Sequence, residues 1–470
     1  MTRRALLAGF PAIHLAARTA PADRPNVVLF MTDDHGAWAN GCYGCPEIHT
    51  PNIDKLAAGG ARFDRAFACT PVCSPSRMTY MTGKIPSRHG VQDYLIPEDS
   101  AGPTARRWLD GHDTFSAILA RNGYTLGLSG KWHMGEDERA QQGFSYWATV
   151  PGGGGTYRDP GFVRNGERIK VNRFKTDAVG DFAIEFLERQ SGVEPFFLTV
   201  PFYAPHTPYD YVPGEYRSPY ADAAFSCFPT KPGIHPGQNR SLARHHGNRD
   251  SMLAYAALVT GADANIGRVL RRLEEMRLRE NTLVIFTADQ GWSAGHHGVW
   301  GKGNGTVPFN MYDSALRVPL IWNHPGKIQA GLVRRSELVS SYDFFPTILD
   351  YLRVAAPPSK DRVGRSYADL VRNSEGPRDW RNRLYFEYAY VRCVRTENLK
   401  YVERAEPYES ELYDLEADPD ETTNRIGDPA YRAQRDALAK EMRGFFAKQG
   451  APPLKDWKST TRQTLFDYSK

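Results

Sequence analysis

Short apolar runs recur along this chain, and that recurrence limits the fold more than any other feature. They are NVVLFM at 26–31, YTLGLSG at 124–130, PFFLTV at 195–200, NTLVIFT at 281–287 and VPLIW at 318–322. Runs of this length, bounded by turn residues, read as buried parallel strands. The stretches between them carry helical periodicity: TFSAILARNG at 114–123 closes on Asn-Gly, and residues 255–277 repeat apolar side chains at helical spacing. Strand alternating with helix predicts an α/β fold, a large doubly wound and mostly parallel central sheet flanked by helices. Ligands of such sheets bind outside the carboxyl ends of the strands.

Those ends carry reactive side chains. Asp33 and Asp34 follow the first run, Lys131 and His133 the second, His206 the third, and Asp289 and Gln290 the fourth. An aspartate after a strand is often no more than a turn residue. Four strand ends delivering carboxylates, an amide, a lysine and imidazoles to one rim are a different matter. Asp33, Asp34, Asp289 and the Gln290 carbonyl make an all-oxygen donor set, which suits a hard divalent cation such as Ca²⁺ or Mg²⁺. With such a cation bound, Arg77, Lys131 and Lys302 leave the site net positive, so it is built for an anionic group.

Residues 73–77 read CSPSR in front of a helix-like segment that Gly83 ends. Ser74 is expected to cap this helix, with Pro75 at its first position. Cys73 would then lie at the positive end of a helix dipole, where a thiol pKa falls. The other reading is a buried structural cysteine. The local pattern leaves the two open, and its surroundings decide.

The rest of the chain bounds the function. Its 470 residues suffice for one large domain and a smaller one. A net charge of +5 permits an anionic substrate, and without a long Lys/Arg block nucleic acid is not an expected partner. Cys42 and Cys45 lack a second pair at zinc spacing, and a disulfide among the 6 cysteines cannot be assigned from sequence. Residues 1–23 resemble an export signal of the twin-arginine type, with Arg3-Arg4, an apolar stretch and small residues, which predicts a periplasmic or secreted protein. No run is long and apolar enough for a transmembrane helix. Residues 150–175 read as a loop, and 205–250 as a long insertion rich in Pro, Tyr, His and Arg. From about 378 the pattern alternates in strand fashion, with a turn at Glu397-Asn398 and a closing helix in 430–449. The expected division is 1–23 export signal, 24–377 catalytic α/β domain, and 378–470 a C-terminal subdomain with a small antiparallel sheet and a helix.

The ordered motifs resemble the type I, formylglycine-dependent sulfatases of the alkaline phosphatase superfamily. CSPSRMTYMTG at 73–83 resembles the first signature of that family, and GKWHMG at 130–135 the second. TPNIDKLAAGGARFDRAFA (50–68), YAPHTPY (203–209), ADQG (288–291), RVPLIW (317–322) and LYDLEADPDETTN (412–424) follow in the family's order, so the resemblance spans about 24–427. It implies that a maturation enzyme reads Cys-x-Pro-x-Arg and oxidises Cys73 to formylglycine. The hydrate of that aldehyde attacks sulfur and uses its second hydroxyl to expel sulfate.

Roles follow residue by residue from the resemblance. Asp33, Asp34, Asp289 and Gln290, with the residue derived from Cys73, hold the metal. Arg77 orients the hydrate, Lys131 and Lys302 hold sulfate oxygens, His133 contacts the hydrate, and His206 protonates the leaving oxygen. The sequence departs from the family at Gln290, where Asn is common, and at Asp313, where Glu is usual. The expected substrate is a sulfated small molecule or saccharide. Tyr209, Tyr211, His235, Arg240, Arg244, His245 and His246 of the insertion, with His89, Asp93 and Tyr94, are candidate contacts. The alternatives are a phosphonate or phosphate monoester hydrolase with the same machinery, and a non-catalytic carbohydrate-binding relative. The second would have lost some of these residues, and none is lost.

Overall fold

Strand β1 (Asn26–Thr32) is buried along its whole length and lies inside a 10-stranded sheet. The computed structural model describes residues 24–192, 194–229, 233–372 and 379–458. The predicted export segment and the boundary drawn at 377/378 lie outside them. In chain order the other strands of this sheet are β2 (Ala61–Phe63), β3 (Thr125–Gly130), β4 (Phe144–Thr149), β5 (Gly161–Arg164), β6 (Glu167–Lys170), β7 (Phe196–Pro201), β8 (Thr282–Ala288), β9 (Leu320–Asn323) and β10 (Leu332–Arg334). Their spatial order is β10-β2-β9-β8-β1-β7-β3-β4-β5-β6. The centre, β8-β1-β7-β3-β4, is parallel throughout.

Two expectations are corrected at the edges. The run VPLIW is not one parallel strand. Pro319 divides it into Arg317–Val318, in a small separate sheet, and β9, which runs antiparallel to β8. The stretch read as a loop contains the β5–β6 hairpin, whose turn Asn165-Gly166 takes φ of 49° and 93°. Paired positive φ values suit a two-residue hairpin turn, and Asn-Gly supplies them cheaply.

Alternate side chains of β1 enter two different cores: Val28 and Phe30 one, Val27, Leu29 and Met31 the other. Among the helices are α1 (Pro51–Ala58), α2 (Cys73–Thr82), α3 (Phe115–Arg121), α4 (Lys175–Glu188), α5 (Arg249–Glu275), α6 (Ser341–Tyr351) and α7 (Arg432–Lys448). Helices α1, α4 and α5 cover the first face, and α2, α3 and α6 the second. This two-sided cover is why the strands read as continuous apolar runs.

The C-terminal sheet is an antiparallel meander of β11 (Arg383–Tyr388), β12 (Val391–Thr396), β13 (Leu399–Arg404) and β14 (Glu411–Asp414). Leu438, Met442 and Phe446 of α7 pack on it. The same cluster takes in Phe67, Cys69 and Val72, just before α2, and Phe309 and Met311, just after Lys302. The small sheet therefore backs two of the segments that carry candidate site residues.

Asp313 belongs to this junction. Its carboxylate accepts from Arg395 at 2.9 Å and Lys400 at 2.8 Å, and Glu421 takes the other side of Lys400 at 2.5 Å. Burial opposes its ionisation, but Arg395 and Lys400 win and hold it well below the usual carboxylate range.

Candidate active site

The rim is assembled by backbone bonds between neighbouring strands. Asp289 N donates to Thr32 O at 3.0 Å, so Asp289 follows β8 level with Asp33 after β1. Lys131 N donates to Pro201 O at 2.7 Å, which ties the end of β3 to β7. Gly130 precedes it at φ 131°, and a Cβ there would lie 2.0 Å from Pro201 O, so only glycine allows this approach. Asp34 takes φ 60°, uncommon for a residue with a side chain. Tyr255 Oη on α5 donates to its carbonyl at 2.9 Å and holds the turn.

Helix α2 starts two residues earlier than predicted. Cys73 is its first residue and Val72 its cap, with no side-chain cap bond. The Ser74 hydroxyl accepts instead from Leu95 N at 3.0 Å. Gly83 ends the helix at φ 68°, as expected. Every residue of α2 is buried.

Cys73 Sγ lies 3.4 Å from Asp33 Oδ1 and 2.8 Å from Lys302 Nζ, which also donates to Asp34 Oδ1 at 2.6 Å. Burial and Asp33 push the thiol pKa up; Lys131, Lys302 and a bond with His206 outweigh them and hold it at about 6. Lys131 Nζ contacts Asp33 Oδ2. Arg77 donates from Nε to Asp289 Oδ2 at 2.8 Å and from Nη1 to Lys131 O at 2.7 Å, and its Nη2 lies in ion-pair contact with the same carboxylate oxygen at 2.8 Å. His206 Nε2 is 3.6 Å from Asp34 Oδ2, and its side chain is 23% exposed where those of the other site residues are almost wholly buried, which makes it the part of the cluster nearest solvent.

His133 sits behind this row at φ 57°, its Nε2 2.9 Å from Leu95 O and its Nδ1 buried with no hydrogen-bond partner. Burial and Lys131 hold its pKa well below the ordinary imidazole value, so it is neutral.

The charges explain why these residues stand together. Burial pushes Asp289 and Asp34 up, whereas Asp33, facing Lys131, His206, Lys302 and Arg77, is held well below its usual range despite burial. The donor set fits a hard cation: atoms of Asp33, Asp34, Cys73 and His206 lie within 4.8 Å of one another, and Asp34 Oδ2 and Gln290 Oε1 are buried without hydrogen-bond partners. Gln290 Nε2 donates to Asp34 Oδ1 at 2.5 Å and Asp33 Oδ1 at 3.2 Å. A half-turn of the amide puts Oε1 in that place, which is the end a cation takes.

All ten candidate residues thus converge, and Lys302 is as close to Cys73 as any. The candidate substrate contacts scatter. His89 is buried against Thr79, and Tyr209 and His245 pack on Trp300. Asp93 is buried with Oδ1 accepting from Tyr388 Oη at 2.8 Å. A cleft of about 780 Å³ beside Trp38, His297, Tyr312 and Tyr413 is lined by the candidate contact His235 but by none of the ten catalytic and metal candidates. Sequence reading missed Lys175, Tyr157 and Tyr203, which pack behind Lys131 and His206. A lysine opening a helix, against the dipole, was the one signal available.

The family model described as Sulfatase matches residues 25–354, and one described as N-sulphoglucosamine sulphohydrolase, C-terminal, matches 295–448. The N-acetylglucosamine-6-O-sulfatase of Bacteroides thetaiotaomicron is 28% identical, over 92% of this chain and 89% of that protein. The ulvan-active sulfatase of Formosa agariphila is 26% identical, over 91% and 82%. A solved structure of a protein in complex with its substrate D-glucosamine-2-N,6-O-disulfate superposes with a TM-score of 0.78 at 27% identity, covering 92% of this chain and 100% of that one.

Proposed function

This chain belongs to the sulfatase family and is a sulfuric ester hydrolase, and we propose that its substrate is a sulfated carbohydrate. The similar proteins named above act on sulfated sugars, which supports the reading. The observation that carries the ester-hydrolase chemistry in this chain is the placement of Cys73 at the start of α2, between Lys302 Nζ at 2.8 Å and Asp33 Oδ1 at 3.4 Å. The family implies formylglycine at Cys73 and a divalent metal. The first supplies two hydroxyls on one carbon, one to attack sulfur and one for sulfate release. The second supplies positive charge to the carboxylates around it.

The remaining work falls to this chain's own side chains. Lys131 and Lys302 hold the sulfate oxygens. Arg77 fixes Asp289 and, through the Lys131 carbonyl, the turn that carries Lys131. His133, buried with Nε2 on the Leu95 carbonyl, keeps Nδ1 without a protein partner and so has it available for the hydrate. His206, nearest to solvent, protonates the leaving oxygen of the sugar. The oxygen donors suit a hard divalent cation, with Ca²⁺ as the first choice and Mg²⁺ as the second. The Cys45–Cys227 disulfide supports a periplasmic or secreted location, since such bonds persist in oxidising compartments. Among the described residues no helix is long and apolar enough to cross a membrane. A panel of sulfated mono- and oligosaccharides, run beside an activated aryl sulfate and the matching phosphate ester, tests the proposal. Turnover of the aryl sulfate without any sugar sulfate would refute it, as would faster hydrolysis of the phosphate.

A further inference from the structure

Lys175 opens α4 and is 1% exposed. The amino end of a helix is the positive end of its dipole, so helix chemistry gives no reason for an ammonium there. Burying one also costs free energy unless it is paired. Its Nζ donates to the carbonyls of Gly154 at 3.1 Å and Gly155 at 2.8 Å. It lies 4.0 Å from the centroid of the Tyr203 ring and 5.4 Å from that of Tyr157. Burial and the nearby Lys131 lower its pKa to about 7, and Asp210 and Asp33 partly oppose this.

Both rings lead to His206. Tyr157 accepts from Lys175 N at 2.8 Å through its carbonyl, and its hydroxyl donates to His206 O at 2.8 Å. Tyr203 stacks on the imidazole, with centroids 4.8 Å apart and planes 29° from parallel. The Tyr203 hydroxyl donates to Thr207 O, the oxygen that His206 Nδ1 also contacts. With Nδ1–H on that carbonyl, Nε2 is left to face Asp34. The ring face, the Nδ1 contact and the backbone of His206 thus depend on two tyrosines that share one ammonium.

We propose that Lys175 is a positioning residue for His206, acting through Tyr203 and Tyr157 to hold Nδ1 on the Thr207 carbonyl and Nε2 toward the reacting group. The effect on rate rests on His206 being the general acid; the effect on orientation does not.

The test uses the full chain with ¹⁵N-labelled histidine, as wild type, Lys175→Met and Lys175→Arg, with His206→Ala to identify the signal. In Lys175→Met the His206 nitrogen shifts should move away from the Nδ1–H pattern, and Lys175→Arg should bring them back. On a sugar sulfate, kcat should fall about 10- to 100-fold in Lys175→Met, as expected for a misplaced catalytic group, with KM little changed. On an activated aryl sulfate it should change little. If the His206 signal moves and both substrates lose alike, the positioning stands and the general-acid role falls. Should Lys175→Met not fold, Tyr203→Leu removes the ring between ammonium and imidazole and leaves Lys175 in place. An unmoved His206 signal in either folded variant overturns the proposal.

Discussion

The Nζ of Lys302 lies 2.8 Å from the Sγ of Cys73, although 229 residues separate them. Backbone packing makes the contact. Gly303 N donates to Pro71 O at 3.1 Å, two residues before Cys73, and a Cβ on Gly303 would strike Pro71 at 2.3 Å. Asn310 closes the loop by donating to Lys302 O at 3.0 Å. Gly303→Ala should therefore lower kcat/KM on every sulfate ester by shifting Lys302. An unchanged kcat/KM in a folded Gly303→Ala protein would remove Lys302 from the sulfate site.

Cys73→Ala should cut turnover by at least about 10³-fold, the scale of losing a nucleophile, while circular dichroism stays native. Cys73→Ser should be nearly as poor and should retain sulfate covalently, visible as added mass on the peptide. Activity surviving in Cys73→Ala would end the formylglycine reading.

Chelation should remove activity, and Ca²⁺ or Mg²⁺ should restore it. Asp289→Ala should lose far more than Gln290→Asn, because the latter keeps a carbonyl donor. Isothermal titration of the apo-protein gives the same order without turnover. Tight binding of Zn²⁺ with no response to Ca²⁺ or Mg²⁺ would contradict an oxygen-donor site.

His206→Ala should damage a sugar sulfate far more than an activated aryl sulfate, since general acid catalysis supplies about 10²- to 10⁴-fold only where the leaving group needs a proton. Lys131→Ala should damage both alike, because both carry the same sulfate. Equal losses for His206→Ala in a folded protein would take the acid role from it.

Asp313→Ala should destabilise the protein by about 3–5 kcal/mol, the usual cost of leaving a buried cation unpaired, because Lys400 is wholly buried between Asp313 and Glu421. Thermal unfolding reads the loss. Lys400→Met in the same chain should recover part of it, since the uncompensated charge is then gone. A double variant no more stable than Asp313→Ala would show that the network is not the cause.

Much of this was legible in the chain. The apolar runs located the strands of the parallel core, because strands covered on both faces need no polar alternation. The side chains that follow them were legible for the same reason, since strand ends share one rim. Less visible were features set by partners far away in sequence. Arg317–Val318 and β9 looked like one strand because only the pairing with β8 reveals direction and only Pro319 marks the break. Cys45 and Cys227 are bonded across 182 residues, which spacing could not foretell. Ser74 reads as a cap, yet its hydroxyl is taken by Leu95. Lys175 offers only a charge set against a helix dipole until Tyr203 and the Gly154 and Gly155 carbonyls are folded over it.

The burial of α2 from end to end sets an order of events. Cys73, Pro75 and Arg77 are the residues a maturation enzyme would read, and in the finished protein none offers a surface to be read. An enzyme that oxidised Cys73 would therefore have to act while this stretch is still an extended peptide. Two processes would then compete for the nascent chain: the oxidation proposed at Cys73 and the collapse that hides it. A chain that folded first would keep its thiol behind Lys302 and Asp33, intact in shape and inactive, so on that proposal the active fraction of a preparation records which process was faster.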